Sequence, residues 1–175
     1  AHPQVVPHFH LPLQSGADPI LRRMNRQYRR DDFLRMADQV RTAFDRPALT
    51  TDIIVGFPGE TDDLFADTLD IVDRVGFIHI HAFPFSPRPG TAAARWKQDF
   101  MPAQTVNQRI ATLTQYAADY SLAFRRQFLD STAEILVERL PAAAHAPGPF
   151  IQHGRCERYF SIHFESLTIL TGQSL

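Results

Sequence analysis

Cysteine is nearly absent: Cys156 is the single one among 175 residues. One thiol excludes an internal disulfide, and it excludes any metal or cluster site built from several thiolates of this chain. Long hydrophobic runs are missing as well. The longest apolar stretches are strand-length, well short of the ~20 residues that a membrane helix needs. Ala1 to Val6 carry neither the basic nor the apolar region of a secretory signal. By elimination the expectation is a soluble cytoplasmic protein without a membrane partner. Net charge is −1, so no global field draws the chain to nucleic acid. Disorder is not expected, because 44% of the residues are hydrophobic, enough to bury a core.

Phosphate-loop signatures are also lacking. The turn Gly56-Phe57-Pro58-Gly59 is not followed by Lys-Ser or Lys-Thr, and its glycine spacing is not that of a dinucleotide fingerprint. No Ser-His-Asp order stands out, and Ser15 and Ser86 have no nucleophile-elbow context. Cys156 has no evident activating neighbour and reads as inert. No catalytic residue and no metal ligand is therefore expected within this chain.

What is present is a regular alternation. Val5 to Leu13 reads as a buried strand ending in the turn Gln14-Ser15-Gly16, and Asp18-Pro19 starts a short helix with Asp18 as its cap. A longer helix begins near Asp31 with Phe33, Met36, Val40 and Phe44 at helical spacing. Leu49 to Val55 is a β-branched strand ending at Gly56. Thr61 caps a helix with the stripe Phe65, Leu69, Val72 and Val75, stopped by Gly76. Phe77 to Phe85 is the next strand, closed by Ser86-Pro87-Arg88-Pro89-Gly90. Such spacing predicts parallel βαβ units, too few for a comfortable domain but a plausible half of a larger barrel.

Beyond a long helix with Val106, Ile110, Leu113, Ala117, Tyr120 and Phe124 on one face, the pattern turns to period two. Thr132 to Glu138 and Arg158 to Glu165 read as strands, with Pro141 to Pro149 as a loop between them. The fold class expected is α/β. Residues 1–126 would form the C-terminal half of a partial parallel (β/α) TIM-like barrel, and 127–175 a small incomplete β-barrel. The start at Ala1 without methionine and the end just after Thr171-Gly172-Gln173 predict an incomplete chain with exposed strand edges and poor stability.

In a parallel barrel the working residues lie at the C-terminal strand ends. That singles out Gln14-Ser15-Gly16, Gly56 to Glu60 and Phe85-Ser86-Pro87-Arg88, although each could be only a tight turn. Glu60 would be an acceptor for an amine or hydroxyl. Arg22, Arg23, Arg26, Arg29 and Arg30 cluster without an acid among them, either as a site or as a solvated helix face. His8 with His10, and His79 with His81, each point to one strand face; they form a divalent-metal site or, preferably, interior packing and hydrogen bonds. In the tail Arg155, Arg158, Tyr159, Phe160 and Phe164 interleave base and aromatic on alternating strand positions, as an RNA contact would.

Four ordered segments resemble a family: His10-Leu-Pro-Leu-Gln-Ser-Gly16, Met24-Asn-Arg26 with Tyr28, Thr51-Asp-Ile-Ile-Val-Gly-Phe-Pro-Gly-Glu-Thr61, and Phe83-Pro-Phe-Ser-Pro-Arg-Pro-Gly-Thr91. They are similar to the methylthiotransferase branch of the radical-SAM enzymes, and the tail from Gln127 resembles a TRAM domain missing its last strand. Three branches compete: isopentenyl-adenosine in tRNA, threonylcarbamoyl-adenosine in tRNA, and an aspartate of a ribosomal protein. Ser86 to Gly90 and Gly154 to Phe160 look most like the threonylcarbamoyl-adenosine (MtaB-like) branch. The resemblance implies S-adenosylmethionine and [4Fe–4S] clusters, one generating a 5′-deoxyadenosyl radical that activates carbon 2 of adenine, another supplying sulfur. It implies that Gln14 and Ser15 hold the cofactor's polar parts, Arg26 its carboxylate, and Ile54 and Gly56 its adenine, with Arg30, Phe85 and Ser86 as further contacts. Arg155, Arg158 and Tyr159 would touch tRNA. The family's Cys-x3-Cys-x2-Cys motif and its N-terminal cluster domain are not in this chain, which alone should be inactive. Ala17 stands where serine is usual, and Arg29 where threonine is common. The other readings are a noncatalytic RNA-binding remnant and a metal-dependent barrel hydrolase.

Overall fold

A computed structural model describes residues 4–138, 150–168, 170 and 172. The order is β1 (His8–His10), α1 (Asp18–Arg23), α2 (Arg30–Ala43), β2 (Ala48–Val55), α3 (Asp62–Val75), β3 (His79–Pro84), α4 (Ala103–Arg126), β4 (Ile135–Val137), β5 (Phe150–Cys156) and β6 (Ser161–Ser166). The first three strands make a parallel sheet in the order β1-β2-β3, and the last three make a separate antiparallel sheet in chain order. Among the described residues the parallel sheet is open and closes no barrel.

Strand alternation divides that sheet into two unlike faces. Leu49, Ile53 and Val55 of β2 and Ile80 of β3 are buried in one core with Phe33 and Leu34 of α2, Phe65, Ile71, Val72 and Val75 of α3, and Val106 and Leu113 of α4. Phe77, just before β3, is wholly buried in the same core. A fully buried side chain of this size contributes roughly 1.5–3 kcal/mol, so this layer carries most of the stability of the parallel region. The opposite face presents His10, Thr50, Asp52, His79 and His81. A second, small cluster of Ala17, Ile20 and Phe57, flanked by Met24, Ile54, Phe85 and Trp96, sits under the C-terminal strand ends.

Several local expectations need correction. The Val5–Leu13 strand contracts to His8–His10, because Pro12 and the loop around it leave the ladder before Gln14 rejoins it opposite Ile53. Asp18 does not cap its own helix; the N-cap is Ala17, and the Asp18 carboxylate accepts the Arg30 N–H at 2.8 Å, at the start of α2. Met36 is exposed, and α2 buries Phe33, Leu34 and Ala37 instead. Thr61 does cap α3, accepting from Leu64 N at 3.3 Å, and Gly76 stops it in the left-handed conformation at φ 57°. In the tail, β5 was not expected, and the Arg158–Glu165 alternation is broken by a turn in which Tyr159 has φ 67°. The loop expected at Pro141–Pro149 lies outside the described residues, as do Thr171 and Gln173.

Candidate functional site

The loop after β1 is stapled to β2. Thr51 Oγ1 donates to Leu11 O at 2.7 Å and accepts from Leu13 N at 3.0 Å, while the Tyr28 hydroxyl donates to Leu13 O at 2.9 Å. These bonds deliver Gln14 into the sheet, where its N–H donates to Asp52 O and its carbonyl accepts from Ile54 N. Gln14 holds φ 64°, an uncommon backbone for a residue with a side chain, and its neighbours enforce it. Its buried Oε1 accepts from Arg26 Nη2 at 3.1 Å. Ser15 is wholly buried and uses its Oγ to accept the Ala17 N–H at 3.2 Å. Gly16 lies against α3: a Cβ there would come within 2.5 Å of Thr68 Cα, so no larger residue fits.

The turn after β2 is built around a buried ion pair. Gly56 has φ 73°, and a Cβ on it would meet Val106 Cγ2 at 2.6 Å. Its bareness therefore serves close packing of α4. Glu60, expected to await a ligand, is already engaged: its Oε2 accepts from Gly56 N at 2.9 Å and from Arg109 Nη1 at 2.6 Å. Burial pushes the Glu60 carboxyl above its usual range, opposed by the Gly56 N–H and the Arg109 guanidinium. Arg109, itself buried, also donates to Asp62 at 2.6 Å and stands over the Phe65 ring at 4.8 Å. Sequence reading missed Arg109, which sits on the apolar side of an otherwise ordinary helix.

Above these turns lies a cavity of about 490 Å³, lined by Gln14, Arg26, Ile54, Phe57, Phe85 and Ser86, and further by Phe83, Pro84, Arg88, Thr91 and Ala93. Five of the eight residues that the resemblance assigned to the cofactor thus share one wall. Ser15 and Gly56 do not line it, and neither does Arg30, which is paired with Asp67 and Asp70 of α3. No Asp or Glu lines the cavity. Phe57 meets Phe85 edge-on, with centroids 5.1 Å apart. The chemistry is that of a site with an apolar aromatic floor and cationic or amide donors at its rim.

The open face of the same sheet differs. His10 Nε2 and His81 Nδ1 approach the two oxygens of Asp52 at 3.4 and 3.6 Å, and His10 Nδ1 lies 3.1 Å from Thr50 Oγ1. No group of three or more His, Cys, Asp or Glu placed to hold a metal occurs among the described residues. His8 stacks on Tyr159 with centroids 4.8 Å apart, and burial, with His10 beside it, holds His8 below the ordinary imidazole value. Arg158, expected to face RNA, is buried; it donates to Arg46 O at 3.1 Å and Asp45 O at 3.2 Å and packs on Phe128. Tyr159 stays exposed with Arg155 over its ring at 4.6 Å, and Arg155 donates to Glu138 at 2.9 Å. Cys156 is free and buried.

Sequence comparison places the chain among known proteins. Residues 2–72 match the Radical SAM superfamily model. A threonylcarbamoyladenosine tRNA methylthiotransferase MtaB of Thermotoga maritima is 42% identical over 137 residues, 78% of this chain and 31% of that protein. A tRNA-2-methylthio-N(6)-dimethylallyladenosine synthase 1 of Mycobacterium marinum is 47% identical over 135 residues, 77% of this chain and 25% of that protein. The corresponding synthase of Frankia alni is 47% identical over 137 residues, 78% of this chain and 27% of that protein. The chain spans only about a quarter to a third of the length of these relatives. By these matches the chain belongs to the radical-SAM methylthiotransferase family.

Proposed function

We propose that this chain is the C-terminal part of a tRNA methylthiotransferase, and that the cavity at its strand ends takes S-adenosylmethionine. The family implies S-adenosylmethionine and [4Fe–4S] clusters in the complete protein. The observation that carries the reading is the convergence of Gln14, Arg26, Ile54, Phe85 and Ser86, distant in sequence, on one acid-free cavity. The donors present fit that cofactor. Arg26, steadied by Gln14, suits a carboxylate, and Ile54, Phe57 and Phe85 suit a purine face. A bound cofactor would supply the radical chemistry. The residues of this chain would bind it, orient it and keep water from its adenine side. With Cys156 as its one cysteine, this chain cannot supply a three-cysteine cluster site, and the reading assigns those ligands to another part of the complete protein.

The substrate we favour is carbon 2 of threonylcarbamoyl-adenosine in tRNA. The Thermotoga maritima relative carries that name, and the Mycobacterium marinum relative carries the dimethylallyl-adenosine one. Ser86-Pro87-Arg88-Pro89-Gly90 tips the choice to the former. Residues 1–126 would be the barrel half, 127–175 the RNA-contact module with Arg155 and Tyr159 as its contacts, and the whole cytoplasmic; no described helix is long and apolar enough to cross a membrane.

Calorimetric titration of the chain with S-adenosylmethionine tests the cavity. Binding lost in Gln14→Ala and Arg26→Ala supports the reading, and absence of binding by the unaltered chain sinks it. Nucleoside mass spectrometry of tRNA from cells expressing the chain joined to its upstream half then decides the substrate. RNA binding without cofactor binding would leave the noncatalytic remnant as the better account.

A further inference from the structure

We propose that Arg88 receives an anionic group of the RNA substrate beside the cofactor cavity; the inference rests on the reading above that this cavity serves a tRNA-modifying enzyme. Arg88 sits between Pro87 and Pro89 on a turn closed by its own carbonyl, which accepts from Thr91 N at 3.2 Å and Thr91 Oγ1 at 2.8 Å. Gly90 at φ 87° completes the turn, and Thr91 Oγ1 accepts in turn from Ala94 N at 3.3 Å. Two prolines with fixed φ and these bonds leave the base of Arg88 little freedom. Exposed Arg88 lines the cavity, and its guanidinium has no hydrogen-bond or ion-pair partner among the described residues.

That freedom sets it apart from other arginines in this part of the molecule. Arg23 is paired with Asp99 at 2.7 Å, Arg30 with Asp67 and Asp70, and Arg109 with Glu60 and Asp62. A guanidinium left bare at a concave, acid-free site is a fork waiting for anionic oxygens. Two cations share the cavity, and the cofactor has one carboxylate. Arg26, already aligned by Gln14, accounts for that carboxylate and leaves Arg88 for a second anion. Phe83, which also lines the cavity, offers a face on which a base can stack. The second anion is either a phosphate flanking the target base or a carboxylate on the base's own substituent.

The test uses the chain with S-adenosylmethionine and two anticodon stem-loop RNAs, one with adenosine and one with threonylcarbamoyl-adenosine at the target position. Fluorescence anisotropy at low salt compares the unaltered chain with Arg88→Ala and Arg88→Lys. Arg88→Ala is expected to weaken RNA binding about tenfold, the size of one charge-assisted contact. Arg88→Lys should fall between, and cofactor affinity should not move. Equal loss on both RNAs, with the salt slope reduced by roughly 0.7, assigns a phosphate. Loss confined to the modified RNA assigns the carboxylate. Unchanged binding of both RNAs by Arg88→Ala overturns the inference and leaves the functional reading standing. A fall in cofactor affinity alone overturns it by moving Arg88 to the cofactor. No RNA binding by the unaltered chain overturns it together with the substrate reading.

Discussion

The two ends of the parallel sheet hold arginines that look alike in sequence and behave differently in the fold. At the C-terminal end Arg26 and Arg88 open onto a cavity without an acid. At the N-terminal end Arg46 and Arg158 stand over Phe128 at 4.5 and 4.4 Å and bond carbonyls of the loop and the helix end. One pair faces a ligand cavity, Arg26 held only by the Gln14 amide; the other ties the antiparallel sheet to the parallel one. A basic residue near an aromatic is therefore poor evidence of a nucleic-acid contact until its partners are known.

The largest expected effect comes from the strut beneath the cavity. Arg109→Met leaves the Glu60 carboxyl buried with only the Gly56 N–H, and breaking a buried pair from one side costs about 3–5 kcal/mol. Urea unfolding should show that loss in the midpoint; a change below about 1 kcal/mol would mean that water reaches Glu60 freely. Next in size is Gly56→Ala, which combines a positive φ with a clash against Val106. It should cost roughly 2–4 kcal/mol of stability, with partial recovery in the Gly56→Ala, Val106→Ala double variant. If Gly56 instead serves the cofactor's adenine, cofactor binding would fall while stability held and Val106→Ala would rescue nothing.

Arg158→Ala sharpens the contrast between the two ends. It removes two bonds to main-chain oxygens, the ion pairs with Glu157 and Asp45 and the packing on Phe128, an expected loss of about 1–3 kcal/mol. RNA affinity should stay within about twofold at a temperature where the variant is folded, whereas Arg88→Ala should lose about tenfold. A larger effect of Arg158→Ala on RNA binding than on stability would return that residue to the RNA surface.

Much of this was legible in sequence, and the reasons are local. Thr61, the acidic turn after it and Gly76 write the limits of the 14-residue α3 into the sequence, and the β-branched run of β2 announces itself. The order of motifs placed Gln14, Ile54 and Phe85 at strand ends, which is where one cavity gathers them. What stayed hidden depends on long-range partners. Nothing near Asp18 says that its carboxylate will cap α2 at Arg30. Nothing in α4 says that Arg109 will reach Glu60, 49 positions earlier in the chain. β5 escaped because Gly154 interrupts its pattern, and the glycine is needed there since a Cβ would meet Leu136 O at 2.4 Å.

The smallest expected effect lies at the N-terminal side of the sheet, where Tyr120 of α4 donates its hydroxyl to Asp73 of α3. Burial first, then the hydrogen bond to Asp73 and the nearby charges, push the Tyr120 hydroxyl from 10.0 to about 12. Folding thus favours the protonated phenol. Its contribution is fully present below pH 10 and is lost as pH rises from 10 toward 12, since the unfolded chain gives up that proton first. Tyr28, whose hydroxyl is also raised by burial, acts in the same direction. Melting temperatures measured from pH 9 to 12 should fall, and fall less steeply in Tyr120→Phe, which has no proton to lose. Parallel slopes for the two proteins would show that the α3–α4 contact opens before the phenol ionises, so that Asp73 and Tyr120 meet only loosely.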